Sequence, residues 1–339
     1  MDSLDNGAYT GDSKKNPYVG DLGTGIEYDQ LEANLKVIDQ TSSRPLITSP
    51  ARIGAKKVVK NLFESKHFSK IKRILDIGSG TGISALEIFL QGGTHLNVDC
   101  VEMSEGMCEV AKYKFHQTVG LSGKVKDKNL LKYWKEFRQE SAPYSSQARF
   151  INQDFMKLDL ENSFYEYDAV TAVQVMHWFD LEKIFGKLRS NLKKETPVIW
   201  DSASHFYDDK EFPSAQYGFR YNDFMGFVLD EISKKFEVED YKQLSRPKYN
   251  QEDIKNITNS QGFKTEKIGL WLQPVDFQDF VRDIVPAIVR EAVIPKTEKQ
   301  ELNIVTQEAI AKSIQNPKAL LDTTHKYDIV PIFKSRKLK

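Results

Sequence analysis

The sequence predicts an α/β domain built on a doubly wound, mostly parallel sheet of seven strands, with helical insertions. Three observations carry that expectation. Short apolar runs alternate with amphipathic helical stretches from residue 73 onward, a glycine-rich turn joins the first run to a helix, and acidic residues close the next runs. Such alternation signals βαβ units, because two parallel strands need a crossover between them.

The first 25 residues are rich in Gly, Asp, Ser, Asn and Lys and are expected to stay unordered, since they have too little apolar surface to offset the entropy of ordering. Residues 26–339 are read as one domain. "YDQLEANLKVIDQ" sets Leu31, Leu35 and Ile38 on one helical face, and "ARIGAKKVVKNLFES" does the same with Val58, Val59, Leu62 and Phe63. Together, over residues 26–70, they are expected to form N-terminal lid helices. The alternation then begins: strand "RILDIG", helix "SALEIFLQ" closed by Gly92-Gly93, strand "LNVDCVEM", helix "EGMCEVAKYKFHQTV". Residues 121–146 are a charged insertion, expected to hold a partly docked surface helix. A basic RNA-binding face is the rival use of that segment, and a solvated insertion is favoured. Strands "ARFINQD", "YDAVTAVQV" and "TPVIW" follow. Between the last two lies the helix "LEKIFGKLRSNL", with Leu181, Ile184, Phe185, Leu188 and Leu192 on one stripe. A helix stopped by Gly262, the strand "TEKIGLWL", a helical insertion over 273–320 broken at Pro286 (stripe Phe277, Phe280, Val281, Ile284) and the strand "KYDIVPIFK" complete the chain.

Composition narrows the partners. Forty-eight basic residues balance forty-eight acidic ones, so no overall field draws the protein to nucleic acid or to an anionic membrane. No run stays apolar for the roughly 20 residues of a membrane span, and the start lacks a secretory core, so a cytoplasmic location is expected. Cys100 and Cys108 have no zinc-binding spacing and are read as buried thiols, with no metal implied.

The stretch "ILDIGSGTGIS" carries most chemistry. Gly78, Gly80 and Gly82 let the chain turn sharply from strand to helix and let a ligand lie on bare backbone near the positive end of the helix. A dinucleotide fingerprint would need glycine at position 83, where Ile83 stands, so the loop points to another nucleotide-like ligand. Glu102 closes the second strand 20 residues after Gly82, where a carboxylate can accept from both hydroxyls of a ribose. Met103 beside it would cover an adenine face, and Asp154 with Phe155 would meet an exocyclic amino group and a ring edge. His177 and Trp178, in "QVMHWFD", follow the fourth strand, where an acceptor would meet the ligand.

These motifs resemble those of class I S-adenosylmethionine-dependent methyltransferases, a Rossmann-like fold whose last strand runs antiparallel. The likeness covers residues 50–335. "SSRP" (42–45), "ITNSQGF" and "DAVTAVQVMHWFDLEKIFGKLRSNLKK" are similar to the trans-aconitate and cantharidin methyltransferase group, which methylates small carboxylic acids. The resemblance implies S-adenosylmethionine as cofactor. Asp76, Gly78, Ser79, Gly80 and Gly82 would hold its amino-acid part, Glu102 the ribose, and Met103, Asp154 and Phe155 the adenine. Gln174 would face the methionyl amine, and Arg44 would reach the cofactor carboxylate or the substrate. His177 would orient an oxygen of a small-molecule acceptor, or take a proton were the acceptor a hydroxyl or phenol. Trp178 would wall out water, Trp200 would line the pocket, and Arg220 and Arg246 are candidate cations for a carboxylate. Methylation of protein or RNA and a non-catalytic binding scaffold are the rival functions. The first lacks a motif after the fourth strand to grip an amino nucleophile.

Overall fold

The structure, a computed structural model, describes residues 50–64, 70–116, 128–160, 166–176, 179–201, 221–238, 249–274, 293–294, 299–316 and 327–338, together with Val285 and Val289. The expected unordered start, the helix "YDQLEANLKVIDQ" and the stripe at 277–284 lie outside the described residues.

A seven-stranded sheet is the frame. In chain order its members are β1 (Arg73–Ile77), β2 (Asn97–Glu102), β3 (Ala148–Asn152), β4 (Ala169–Ala172), β5 (Pro197–Asp201), β7 (Phe263–Pro274) and β9 (Tyr327–Lys337). They lie side by side as β3-β2-β1-β4-β5-β9-β7. The first five are parallel, and β9 runs antiparallel to both β5 and β7. The order reverses between β1 and β4, which opens a crevice at their carboxyl ends, the place where open α/β sheets take ligands. A separate antiparallel pair joins β6 (Glu237–Val238) to β8 (Val293–Ile294).

Both faces of the sheet are covered, which is why its strands are apolar at successive positions. Ile74, Val98, Cys100, Phe150 and Ile199 face one layer, built from α1 (Pro50–Phe63), α2 (Ile83–Gly92), α3 (Glu105–His116) and α4 (Lys128–Ser141). Leu75, Ile77, Val101, Val170, Val198 and Trp200 face the other, formed by α5 (Leu181–Asn191) and α7 (Gln251–Ser260). Both cysteines are buried free thiols, as expected.

Two flanking helices pack into the first layer. In α1, part of the segment expected to form lid helices, Ala55, Val58, Val59 and Leu62 are buried there. Its Gly54 lies against the indole of Trp271, where a Cβ would stand 2.4 Å from Cζ2. Arg52 donates through Nε to Glu87 of α2 at 2.6 Å and through Nη1 and Nη2 to Glu140 of α4 at 3.0 and 2.6 Å, joining three helices. The charged insertion holds a helix, α4, docked by one face, on which Tyr133, Trp134 and Phe137 recur and are buried. Phe137 meets Phe115 edge-on at 5.7 Å, and the Arg138 guanidinium lies 4.1 Å from the Tyr113 ring centre.

Beyond β5, the chain after the sheet and the insertion between β7 and β9 form one unit. Helices α6 (Tyr221–Ile232) and α8 (Lys299–Ile314) share a core of Phe224, Met225, Val228, Val285, Val289, Val293, Leu302 and Ile310.

The buried Arg52 yields a stability prediction. Arg52→Leu leaves Glu87, 2 % exposed, without its cation, and unfolding in urea should show a loss of about 3–5 kcal/mol.

Candidate functional site at the carboxyl ends of the strands

The turn after β1 is held by the neighbouring strand. The N–H groups of Gly78 and Ser79 both donate to the Val101 carbonyl, at 2.8 and 3.2 Å. Glu102, at the end of β2, accepts from the Gly80 N–H through Oε2 at 2.9 Å and from the Ser104 N–H through Oε1 at 2.8 Å. Asn152, opposite Glu102 in the ladder, donates Nδ2 to the carbonyls of Glu102 and Met103, both at 3.1 Å. Burial pushes the Glu102 carboxyl up, opposed by the N–H groups of Ser104 and Gly80.

Asp76 supports the turn from below. It is fully buried, and it accepts from Ser84 Oγ at 2.5 Å and from Thr171 Oγ1 at 2.7 Å. Burial pushes its pKa up to about 6, against the pull of those two hydroxyls. With both oxygens engaged by hydroxyls of the chain, Asp76 fastens the turn to α2 and β4. On the other side, Lys114 of α3 is buried and donates to the Thr81 carbonyl at 3.2 Å, with Nζ 4.6 and 5.2 Å from the ring centres of Phe137 and Tyr133. The insertion helix α4 therefore braces the turn.

Gly78 and Gly80 both adopt left-handed φ, +63° and +54°, for different reasons. A Cβ on Gly78 would stand 2.2 Å from Val175 Cγ2, so the loop after β4 presses directly on the turn. A Cβ on Gly80 would meet nothing nearer than Met107 Sδ at 3.9 Å, so it borders open space. Ser79 Oγ is buried and has no hydrogen-bond partner among the described residues, and α2 begins at Gly82 without a side-chain cap. A buried hydroxyl of that kind calls for a partner. Open space, a spare hydroxyl, an uncapped helix start and Glu102 together fit the amino-acid and ribose parts of S-adenosylmethionine.

Asp154 and Phe155 follow β3 as expected but are used locally. Asp154 caps the short 3₁₀ turn Phe155–Lys157, accepting from the Met156 N–H at 2.8 Å. The Phe155 ring is in the core, edge-on to Phe179 at 6.2 Å and 5.6 Å from Lys187 Nζ. Lys187 also donates to the carbonyls of Met156 and Leu158, at 3.2 and 2.6 Å, and so pins this loop. An adenine contact through the Phe155 ring is thus at odds with its packing. Met103 is half-buried beside Glu102.

Two residues near β4 and β5 differ from expectation. The fourth strand stops at Ala172, and Gln174 stands beyond it with φ +55°. Its N–H is drawn to Asp201 Oδ1 at 2.5 Å, which turns the chain out of the ladder. Trp200 does not line a pocket. Its side chain is 1 % exposed, stacks on Phe333 at 4.5 Å, and donates Nε1 to Ser335 Oγ at 3.0 Å. Strand alternation sends it into the layer under α5, whereas Asp201, one residue on, faces Gln174 and Trp271. His177, Trp178, Arg44, Arg220 and Arg246 lie outside the described residues.

Sequence reasoning passed over Ser84, Thr171, Asn152, Lys114 and Asp201. Only Asp201 had a local signal, an acid closing an apolar run as Glu102 does.

Two predictions follow from this geometry. Gly80→Ala should cost about 1–2 kcal/mol of stability through its φ and weaken S-adenosylmethionine binding about tenfold or more, whereas Gly78→Ala, clashing with Val175, should lower Tm and binding together. Calorimetric titration alongside thermal melts separates the two. For Asp76, the folded chain keeps a proton between pH 3.8 and about 6 that the unfolded chain has lost. This residue therefore makes the protein less stable as pH rises through that window, with no further change above it. Urea midpoints at pH 4 and pH 7 should show the difference between the native chain and Asp76→Asn moving in the variant's favour by on the order of 1–3 kcal/mol.

Residues 75–199 match a family model described as a methyltransferase domain. No curated protein matches the chain. Among solved structures it is similar to the YcgJ protein of Bacillus subtilis, at 14 % identity over 84 % of this chain and 98 % of that one, with a TM-score of 0.46. It is also similar to phosphoethanolamine N-methyltransferase 2 of Haemonchus contortus, solved with phosphomonomethylethanolamine and S-adenosylhomocysteine, at 16 % identity over 93 % and 59 %, TM-score 0.45. A third is the magnesium protoporphyrin IX methyltransferase of Synechocystis PCC 6803 with bound S-adenosylmethionine, at 12 % identity over 99 % of both chains, TM-score 0.42. Likenesses at that level carry no weight beside the strand order itself. The matched domain spans the strands that bear the glycine turn, Glu102 and Gln174, and the chain is an enzyme that takes its methyl group from S-adenosylmethionine.

Proposed function

We propose that this methyltransferase acts on a small organic acid of the trans-aconitate kind, forming a methyl ester at a carboxylate oxygen. S-adenosylmethionine supplies a methyl group already activated on a positively charged sulfur. The chain then has to hold the acceptor oxygen in line and keep water out.

The roles of the described residues rest on the geometry above, and those of the others on the resemblance of the sequence motifs. Glu102 takes the two ribose hydroxyls, for each of its oxygens accepts one N–H and keeps a lone pair. Ser79 and the backbone at Gly80 take the amino-acid part, with Asp76, Gly78 and Gly82 shaping the turn. Met103 and Asp154 flank the adenine, and the backbone at Gln174 faces the methionyl amine. His177 orients the acceptor oxygen and Trp178 excludes water. Arg44, Arg220 and Arg246 are the candidate partners of the acceptor's carboxylates, where a guanidinium fork binds best.

One observation carries the choice of acceptor. Among the described residues, each buried carboxylate at this end of the sheet is already engaged by donors of the chain: Asp76 by Ser84 and Thr171, Glu102 by Gly80 and Ser104, Asp201 by Gln174 and Trp271. None of these three is poised as a general base. A carboxylic acid, with a pKa of about 4, arrives ionised and needs none. The similarity of "DAVTAVQVMHWFDLEKIF" to the small-acid group supports the same reading.

Methyl-labelled S-adenosylmethionine offered with di- and tricarboxylic acids, phenols, protein and RNA should label a small, base-labile ester. Label found only in macromolecules would overturn the proposal. On the identified acid, His177→Ala should keep measurable turnover with a rate that is flat above about pH 6, since the nucleophile is ionised throughout. A rate climbing steadily toward high pH would mark a hydroxyl acceptor instead.

A further inference from the structure

The left-handed conformation of Gln174, φ +55°, costs a residue with a side chain about 1–2 kcal/mol. The compensation comes from β5. Asp201 accepts the Gln174 backbone N–H on Oδ1 at 2.5 Å and the Gln174 side-chain Nε2 on Oδ2 at 2.9 Å. Trp271 of β7 donates its indole Nε1 to the same Oδ2 at 3.1 Å. Asp201 is fully buried, so this carboxylate receives three N–H groups in a place water does not reach. An ionised carboxylate suits the position because it only accepts, whereas an amide of the same shape would set its own N–H groups against two donors.

The loop so held has a defined place. Val175, the next residue, packs against Gly78, where a Cβ would come within 2.2 Å. Trp271 in turn lies on Gly54 of α1. Asp201 thus stands where β5, β7, the N-terminal helix and the loop after β4 meet, and that loop rests on the donor's glycine turn.

We infer that Asp201 is a positioning residue for methyl transfer: it holds Gln174 in its left-handed turn and thereby sets Val175, the next residue, against the glycine turn. It does not touch the reacting atoms. The inference is independent of which acceptor is methylated, and its test needs only the donor site.

The probe is S-adenosylhomocysteine, titrated calorimetrically into the whole chain, with amide hydrogen exchange of the ligand-free protein as second readout. Asp201→Asn should weaken binding about tenfold and speed exchange over residues 173–176, while β5 residues 197–200 keep their protection. Gln174→Glu alone should weaken binding as well, because two carboxylates then face each other. Combined, Asp201→Asn with Gln174→Glu should bind at least about threefold better than the weaker single variant, since amide and carboxylate have traded places between the two positions, and should stay below the native chain because the Trp271 N–H then faces an amide N–H. A double variant binding no better than the weaker single one would overturn the inference, as would unchanged loop exchange in Asp201→Asn. Should Asp201→Asn fail to fold, Trp271→Phe carries the test. It removes only the β7 donor and should leave exchange over 173–176 unchanged, whereas a loosened loop there would show that the loop is held through β7 and not by the Asp201 carboxylate, which would overturn the inference.

Discussion

A carboxylate buried in protein must be satisfied by hydrogen-bond donors, and that requirement organises this end of the molecule. Asp76, Glu102 and Asp201 stand on or at the end of β1, β2 and β5, each nearly or wholly out of water. Each gathers donors from another segment. Asp76 draws in Ser84 of α2 and Thr171 of β4, Glu102 draws in the amides of Gly80 and Ser104, and Asp201 draws in Gln174 and Trp271. Because β1, β2, β4 and β5 are parallel, these acids fall along one rim of the sheet. The loops that leave the rim are therefore tied to the strands and to one another.

This tying matters for a reaction in which the donor is already activated. The protein's contribution to such a transfer is alignment, and alignment depends on loops that do not need reordering when ligands arrive. The glycine turn is fastened from three directions: by the Val101 carbonyl and Glu102 beside it, by Asp76 beneath it, and by Lys114 at Thr81. What the turn leaves unused is the open space at Gly80 and the buried hydroxyl of Ser79, which has no partner among the described residues.

Segments outside the minimal scheme serve this same arrangement in different degrees. Helix α4, charged on its outer side, presents Tyr133 and Phe137 to Lys114 and is joined through Glu140 to Arg52 of α1. Its charge reflects a solvated face and its aromatic stripe a structural one. By contrast, α6 and α8 make their own core, so two stretches far apart in the chain depend on each other for burial.

Read alone, the sequence determined the doubly wound sheet, the place of its strands, the glycine turn and the acid at the end of β2. All of these rest on local patterns: periodicity, turn chemistry, and the spacing of Gly82 and Glu102. Tertiary structure decided the rest, because it depends on which segments meet. Trp200 and Asp201 are neighbours in sequence, yet strand alternation sends one into the core under α5 and the other toward Gln174. Phe155 follows an acid at a strand end, but Phe179, brought over it by the fold, takes its ring into the core. Ser84, Thr171 and Lys114 carry no motif at all, and they support the turn only because helix and strand packing places them within hydrogen-bonding distance of it.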